Sequence, residues 1–368
     1  MRFAFLLIAA SLAAQTTSPV VRENGDWVQT VSGSLPVGSR ARLRVTTIGN
    51  VTLRGGAAGA LSYSLKKRTR ADGQPAAVSA LRAVKLKSIE QGAWTLVSIS
   101  SSPDCSADLV ITAPRELLQA KLDTSGGAIA VTGFDGEISA QTGAGRIDLD
   151  ELRSNASART GGGEIHAGRV SGQLRAYTGG GAIRVRSAGK ECWLDTAGGD
   201  ISVREAAAPV HARTAGGSIR VDRATHEIFA QTAAGVIEVG QAGGVVNAET
   251  SGGAILLHNL QGSMRAATSN GSILARLQSG QRLEDSILRA VLGDITVLLS
   301  SNTPVTIQAR NESAGSKRRI ISEFQEIRIR NADSVTNEPV LADGALQGGG
   351  PVLRIVTSSG TIYLRRQR

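Results

Sequence analysis

Between residues 122 and 275 apolar and polar positions alternate with a period of two, the signature of half-buried strands rather than helices. The alternation is itself periodic. Thr124, Thr142, Thr160, Thr178, Thr196, Thr214, Thr232, Thr250 and Thr268 follow one another at 18-residue intervals. Gly stands three residues after each, from Gly127 through Gly163 and Gly217 to Gly271, and Ile five residues after, from Ile129 through Ile165 and Ile219 to Ile273. Each unit predicts two short strands, a Gly corner between them, and a second turn after an apolar residue such as Phe134, Val170 or Leu260. One such unit cannot cover its own apolar face, whereas stacked units share a continuous core. The expected fold is therefore all-β: a single-chain β-solenoid, parallel β-helix-like, with 18-residue coils. Gly at the corner is expected to supply a positive φ. The Thr side chains are expected to stack in a row and hydrogen-bond along it.

The same offsets recur outside the regular run. Thr46, Gly49 and Val51 mark an early coil; Leu353, Ile355, Thr357, Gly360, Ile362 and Leu364 mark a late one. Gly293 and Ile295 mark a coil displaced by a four-residue insertion around residues 281–286. The chain thus divides into a signal peptide (1–14), an irregular β lead-in or cap (15–120), the regular solenoid (121–299) and a C-terminal β region with a final coil (300–368). The signal peptide reading rests on Met1-Arg2, the apolar residues 3–12 and small residues up to Ala14, too short a run to span a bilayer. The mature chain is expected to begin near Gln15 and to reside outside the cytoplasm, in the periplasm, at the surface or secreted. No later segment is long and apolar enough to predict a transmembrane span.

The Thr-x-x-Gly-x-Ile units, the stretch 42–51 (Arg-Leu-Arg-Val-Thr-Thr-Ile-Gly-Asn-Val) and the lead-in Leu109-Val-Ile-Thr-Ala-Pro114 together resemble the bacterial putative-adhesin β-strand-repeat family, also called the domain of unknown function 4097. The resemblance covers residues 38–365. It implies a cell-envelope β-solenoid with an adhesin-like or structural role, and it transfers no catalytic motif and no cofactor.

Composition fits a thin core. With 44 Gly but only 3 Trp, 3 Tyr and 5 Phe, the chain lacks the large side chains of a thick enzyme interior. Its 41 Lys and Arg against 31 Asp and Glu give a formal charge of +10. An exported basic chain meets envelope glycans, anionic lipids and surface proteins, so these are the expected partners and nucleic acid is not. Cys105 and Cys192 make no disulfide framework; Cys192 falls on an inward position, where a buried free thiol is expected.

Fixed spacing converts sequence offsets into spatial rows. Three residues before Thr stand Arg175, Trp193, His211 and Phe229, flanked by Tyr177, Arg159 and Arg213. Aromatic faces bordered by Arg suit sugar rings and anionic groups, which makes this the expected ligand surface. The other reading is a stacked row that merely covers the solenoid. Six residues after Thr stand Asp148, His166 and Arg184, with Asp150 and Arg186 alongside. Carboxylates beside a proton donor are the equipment of glycoside hydrolysis or proton abstraction. A solvated row of alternating charge is the reading preferred here. His-Glu-x-x-His, Cys-x-x-Cys and Gly-x-Ser-x-Gly motifs are absent, and no metal or cofactor is expected. The expected function is non-enzymatic envelope binding or structure, with a polysaccharide lyase or hydrolase as the alternative.

Overall fold

The computed structural model describes residues 13–367, apart from 38–40, 58, 103, 278–279, 281–282, 314–318 and 333–337. The apolar residues 3–12 of the expected signal peptide lie outside the described residues, as do 281 and 282 of the insertion. The chain divides into two compact units, residues 1–181 and 182–368. The sequence pattern makes both all-β, apart from one helix among the described residues.

In the first unit the Thr-bearing strands pair in parallel, with Thr124 opposite Thr142, Thr142 opposite Thr160 and Thr160 opposite Thr178. The Ile-bearing strands form a second parallel sheet, Ile129 opposite Ile147 and Ile147 opposite Ile165. The second unit repeats the arrangement from Thr196 to Thr268 and from Ile183 to Ile273. We call the Thr-bearing sheet B and the Ile-bearing sheet A. Each coil of 18 residues advances one strand, so equal offsets become direct neighbours at about 4.8 Å. Alternate residues point inward: Ile, Val, Leu and Ala fill the space between the sheets, and Phe134, Val170 and Leu260 are buried at the second turn.

The repeat residues act together. Thr142 Oγ1 donates to the Gly127 carbonyl of the preceding coil at 2.8 Å and accepts the Gly145 N–H of its own coil at 3.2 Å. Thr160, Thr178, Thr232 and Thr250 do the same. These hydroxyls are buried, and each bridges two coils through backbone, not through the next Thr. The glycines also differ from expectation. None of Gly127, Gly145, Gly163, Gly217, Gly235, Gly253 and Gly271 has a positive φ. Close approach is what excludes a side chain: a β-carbon on Gly145 would lie 2.0 Å from the Gly127 carbonyl oxygen, and one on Gly235 1.9 Å from that of Gly217.

The ends of the stack depart from sequence order. In the first unit the strands Arg42–Thr47 and Val51–Gly56 lie between those of the coil at 119–134 and those at Trp94–Ser100 and Cys105–Pro114. Here Thr47, not Thr46, is the partner of Thr124, because this corner is one residue shorter and Gly49 N–H reaches Thr47 Oγ1 two residues back. In the second unit Val352–Ser359 and Thr361–Arg366 fill the slot between the coil at 286–299 and that at 305–322. Antiparallel strands cover what lies beyond. Ala60–Thr69 pairs with Cys105–Pro114 and Lys85–Gln91 with Trp94–Ser100; Val340–Leu346 pairs with Val305–Asn311. Such covers remove the bare strand edges that a solenoid end would otherwise present.

Strand Ala13–Thr17 runs across the expected cleavage position and pairs antiparallel with Asp26–Pro36. One helix, Gln74–Ala83, interrupts the β region that the sequence predicts before residue 120. The buried Lys67 amine donates to the carbonyls of Leu81 and Val84 at the end of that helix, and desolvation lowers its pKa. Cys105 and Cys192 are free thiols, each buried within its own unit.

Candidate functional site

The outward face of sheet B in the second unit carries the predicted aromatic row. Trp193 is opposite His211 and His211 opposite Phe229. The rings lie almost parallel: 3.9 Å between centroids and 5° between planes for Trp193–His211, and 4.8 Å and 1° for His211–Phe229. The second spacing is that of adjacent strands, so the backbone register imposes the stack. His211 Nε2 also lies 3.1 Å from Glu191 Oε1. Trp193 and Phe229 remain 47% and 39% exposed. Stacking occupies both faces of His211 and one face of each neighbour, which limits what a sugar ring can cover. The accessible surface consists of ring edges and the outer faces.

The row continues beyond the aromatics. Phe229 is opposite Asn247, Asn247 opposite Arg265, Arg265 opposite Ile287 and Ile287 opposite Arg354. A parallel row two residues on carries Arg213, Gln231, Glu249, Ala267, Arg289 and Val356. Arg265, Arg289 and Arg354 have no ion pair among the described residues. Arg265, Ile287 and Arg354 hold the offset that marks Trp193, three before the Thr position. Arg265 lies within the regular spacing and could have been counted from Trp193; Ile287 and Arg354 lie beyond the four-residue insertion, which breaks the 18-residue spacing.

The remaining predicted residues lie in the first unit. Arg175 and Tyr177 are on Leu174–Thr178, and Arg159 is on Ala156–Thr160. Tyr177 is opposite Arg159, whose guanidinium lies 5.0 Å from the ring centroid, a cation–π contact. Tyr177 is 43% exposed.

The acidic row has a different character. Asp148 is opposite His166, with His166 Nδ1 3.6 Å from Asp148 Oδ1, but Arg146 Nη2 holds the same oxygen at 2.7 Å. Asp150 Oδ1 accepts the backbone N–H groups of Glu151 and Arg169. It thereby closes an irregular turn at Glu151, whose φ is +53°. The Asp148 carboxylate is thus occupied by Arg146, and that of Asp150, which satisfies two amides, is engaged in holding the chain. Arg184 and Arg186 lie in the second unit. No group of three or more His, Cys, Asp or Glu able to hold a metal occurs among the described residues. No helix among them is long and apolar enough to cross a membrane.

No family model matches the chain, and no curated protein is similar to it. Similar solved structures include a protein described as a putative cell adhesion protein from Clostridium sporogenes, 6% identical over 96% of this chain and 99% of that one, with a TM-score of 0.18. A putative adhesin from Parabacteroides distasonis is 10% identical over 91% and 96%, with a TM-score of 0.27. A putative lipid binding protein from the same organism is 10% identical over 91% and 97%, with a TM-score of 0.26. At these TM-scores the likenesses carry no argument about what this chain does.

Proposed function

We propose that the chain is an exported, non-enzymatic β-solenoid of the cell envelope, adhesin-like, which binds anionic glycans through the outward face of sheet B in its second unit. The observation that carries this reading is the continuity of one face: three stacked aromatic rings lead in register into Arg265, Ile287 and Arg354, with Arg289 alongside. A row of regularly spaced contacts suits an extended polymer, which gathers affinity from many weak sites. The formal charge of +10 favours a polyanion. Membership of the putative-adhesin repeat family, which the Thr-x-x-Gly-x-Ile units suggest, is part of the same proposal. Asp148 and Asp150 are held by Arg146 and by backbone amides, which is why binding is preferred to polysaccharide cleavage.

Purified protein on an array of acidic and neutral envelope glycans tests this reading. Wild type is expected to retain acidic glycans. The pair Arg265→Gln and Arg354→Gln is expected to weaken retention about tenfold, the usual scale for lost charge-assisted bonds. Full retention by these variants, or by Trp193→Ser with Phe229→Ser, removes the site. Cell fractionation with mass spectrometry of the mature N-terminus tests export; a cytoplasmic, uncleaved chain ends that part.

A further inference from the structure

A second surface lies on sheet A of the second unit, and the aromatic row plays no part in it. Along the outward row that begins at Arg184, the coils carry Ser202, Arg220 and Glu238, and then the chemistry changes. Leu256, Leu274, Thr296, Tyr363 and Ile321 follow one another in register on five neighbouring strands. At the spacing of paired strands this strip is about 19 Å long. Beside it, two residues further along each strand, stand His258, Arg276, Leu298 and Arg365, again in register.

Next to the strip is a hollow of about 380 Å³ lined by Arg276, Leu298, Glu323, Arg365, Arg366 and Gln367. That volume is within the usual range for small-molecule sites. Its charges do not balance. Neither Arg276 nor Arg365 has an ion pair among the described residues. The Glu323 carboxylate accepts the Arg366 backbone N–H at 2.9 Å. Arg276 Nε and Gln367 Oε1 are buried without any hydrogen-bond partner. Buried polar atoms in folded proteins are almost always paired, so an orphaned guanidinium N–H at a hollow lined by two more arginines marks the place of an acceptor. A half-turn of the Gln367 amide would bring two N–H donors to the same place. Arg365 lies over the Tyr363 ring, 4.7 Å from guanidinium carbon to centroid, which joins the basic group to the apolar strip. Burial, and then the charge of Arg276, lowers the pKa of His258, so its ring adds no positive charge at neutral pH.

We propose that this surface binds an anionic lipid, its phosphate or carboxylate head in the hollow against Arg276, Arg365 and Arg366, and its chain along Leu274, Thr296, Tyr363 and Ile321. A head group alone would use the arginines and leave the strip idle. A neutral amphiphile would use the strip but leave the positive charge of Arg276, Arg365 and Arg366 unmatched.

Calorimetry on the full chain tests this with three probes: decyl phosphate below its micelle concentration, inorganic phosphate, and decyl maltoside. Decyl phosphate is expected to bind at least about tenfold more tightly than either of the others. Arg276→Gln and Leu274→Ser are each expected to weaken it by about tenfold. Arg365→Gln, a change at an exposed position, guards against misfolding of the first variant. Arg265→Gln on sheet B should leave decyl phosphate binding unchanged, so failure here and failure of the glycan face are separable. Equal binding of inorganic phosphate overturns the lipid assignment. Undiminished binding by folded Arg276→Gln and Arg365→Gln places the ligand elsewhere and overturns the site.

Discussion

At the scale of single residues, the stability of each coil junction is concentrated in Thr and Gly. Thr232 donates to the Gly217 carbonyl and accepts the Gly235 N–H, both in a buried corner. Thr232→Val keeps the shape and removes both bonds, at an expected cost of about 2 kcal/mol. Gly235→Ala should cost more, because its β-carbon would meet the Gly217 carbonyl and force two coils apart. Urea unfolding of the two variants checks the order; a milder Gly235→Ala would mean that the corner relaxes. Cys192 offers a pH test, since burial pushes its thiol up to about 12, from an ordinary value of 9.0. The unfolded chain loses this proton above pH 9 while the folded chain keeps it. Stability should therefore fall with rising pH by up to about 1.4 kcal/mol per unit. Urea midpoints between pH 8 and 10 should drop more steeply in wild type than in Cys192→Ala, and equal slopes would refute the assignment. The positions of Thr and Gly were legible from spacing alone. The reason for Gly was not, because close approach depends on a neighbouring coil that no single repeat reveals.

At the scale of elements, strand register governs both the hydroxyl ladder and the outward rows. The ladder is interrupted at Ala290, the residue opposite Thr268 on one side and Thr357 on the other. Asn311 takes the Thr role in the coil beyond, its Nδ2 donating to the Gly360 carbonyl at 2.8 Å. Ala290→Thr restores the missing hydroxyl and should stabilise by about 1 kcal/mol; a lower urea midpoint would show that the slot has no room. Asn311→Ala should lose about 2 kcal/mol, since Asn311 Oδ1 also accepts the Ser313 N–H. The aromatic row was readable from offset counting, and the rings do meet. Their stacking follows from the same register, and only the near-parallel ring angles, 5° and 1°, depend on side-chain rotation. Arg265 was within reach of the same offset counting, whereas Arg289 and Arg354 escaped because an insertion shifted their spacing, while the backbone restored their register.

At the scale of the whole molecule, the interleaved ends distinguish this chain from a simple stack. The strands Val352–Ser359 and Thr361–Arg366 come last in sequence but have a parallel neighbour on each side. Deuterium exchange should therefore show their amides as protected as those of Ile237–Ala242, and more protected than those of Arg328–Arg330, which pair on one side only. Fast exchange at 352–366 would contradict the interleaving. Deleting 352–368 should open a slot inside the stack and expose 305–322 to protease, whereas removing an outermost coil would disturb one junction.

Coil length, the alternation of inward and outward residues, and which offsets share a row are written in the order of amino acids alone. All of these follow from a strand period of two and a repeat of 18. The same order also carried the offsets of the two coils that insert near the ends of the stack. Tertiary structure alone decided where those coils insert, that helix Gln74–Ala83 would form against the buried Lys67, and that Arg276 would be left without a partner beside an apolar strip. The physical reason is common to all three. Local pattern sets which face of a strand is buried, but slot, cap and unpaired charge depend on which distant segment arrives to complete the stack.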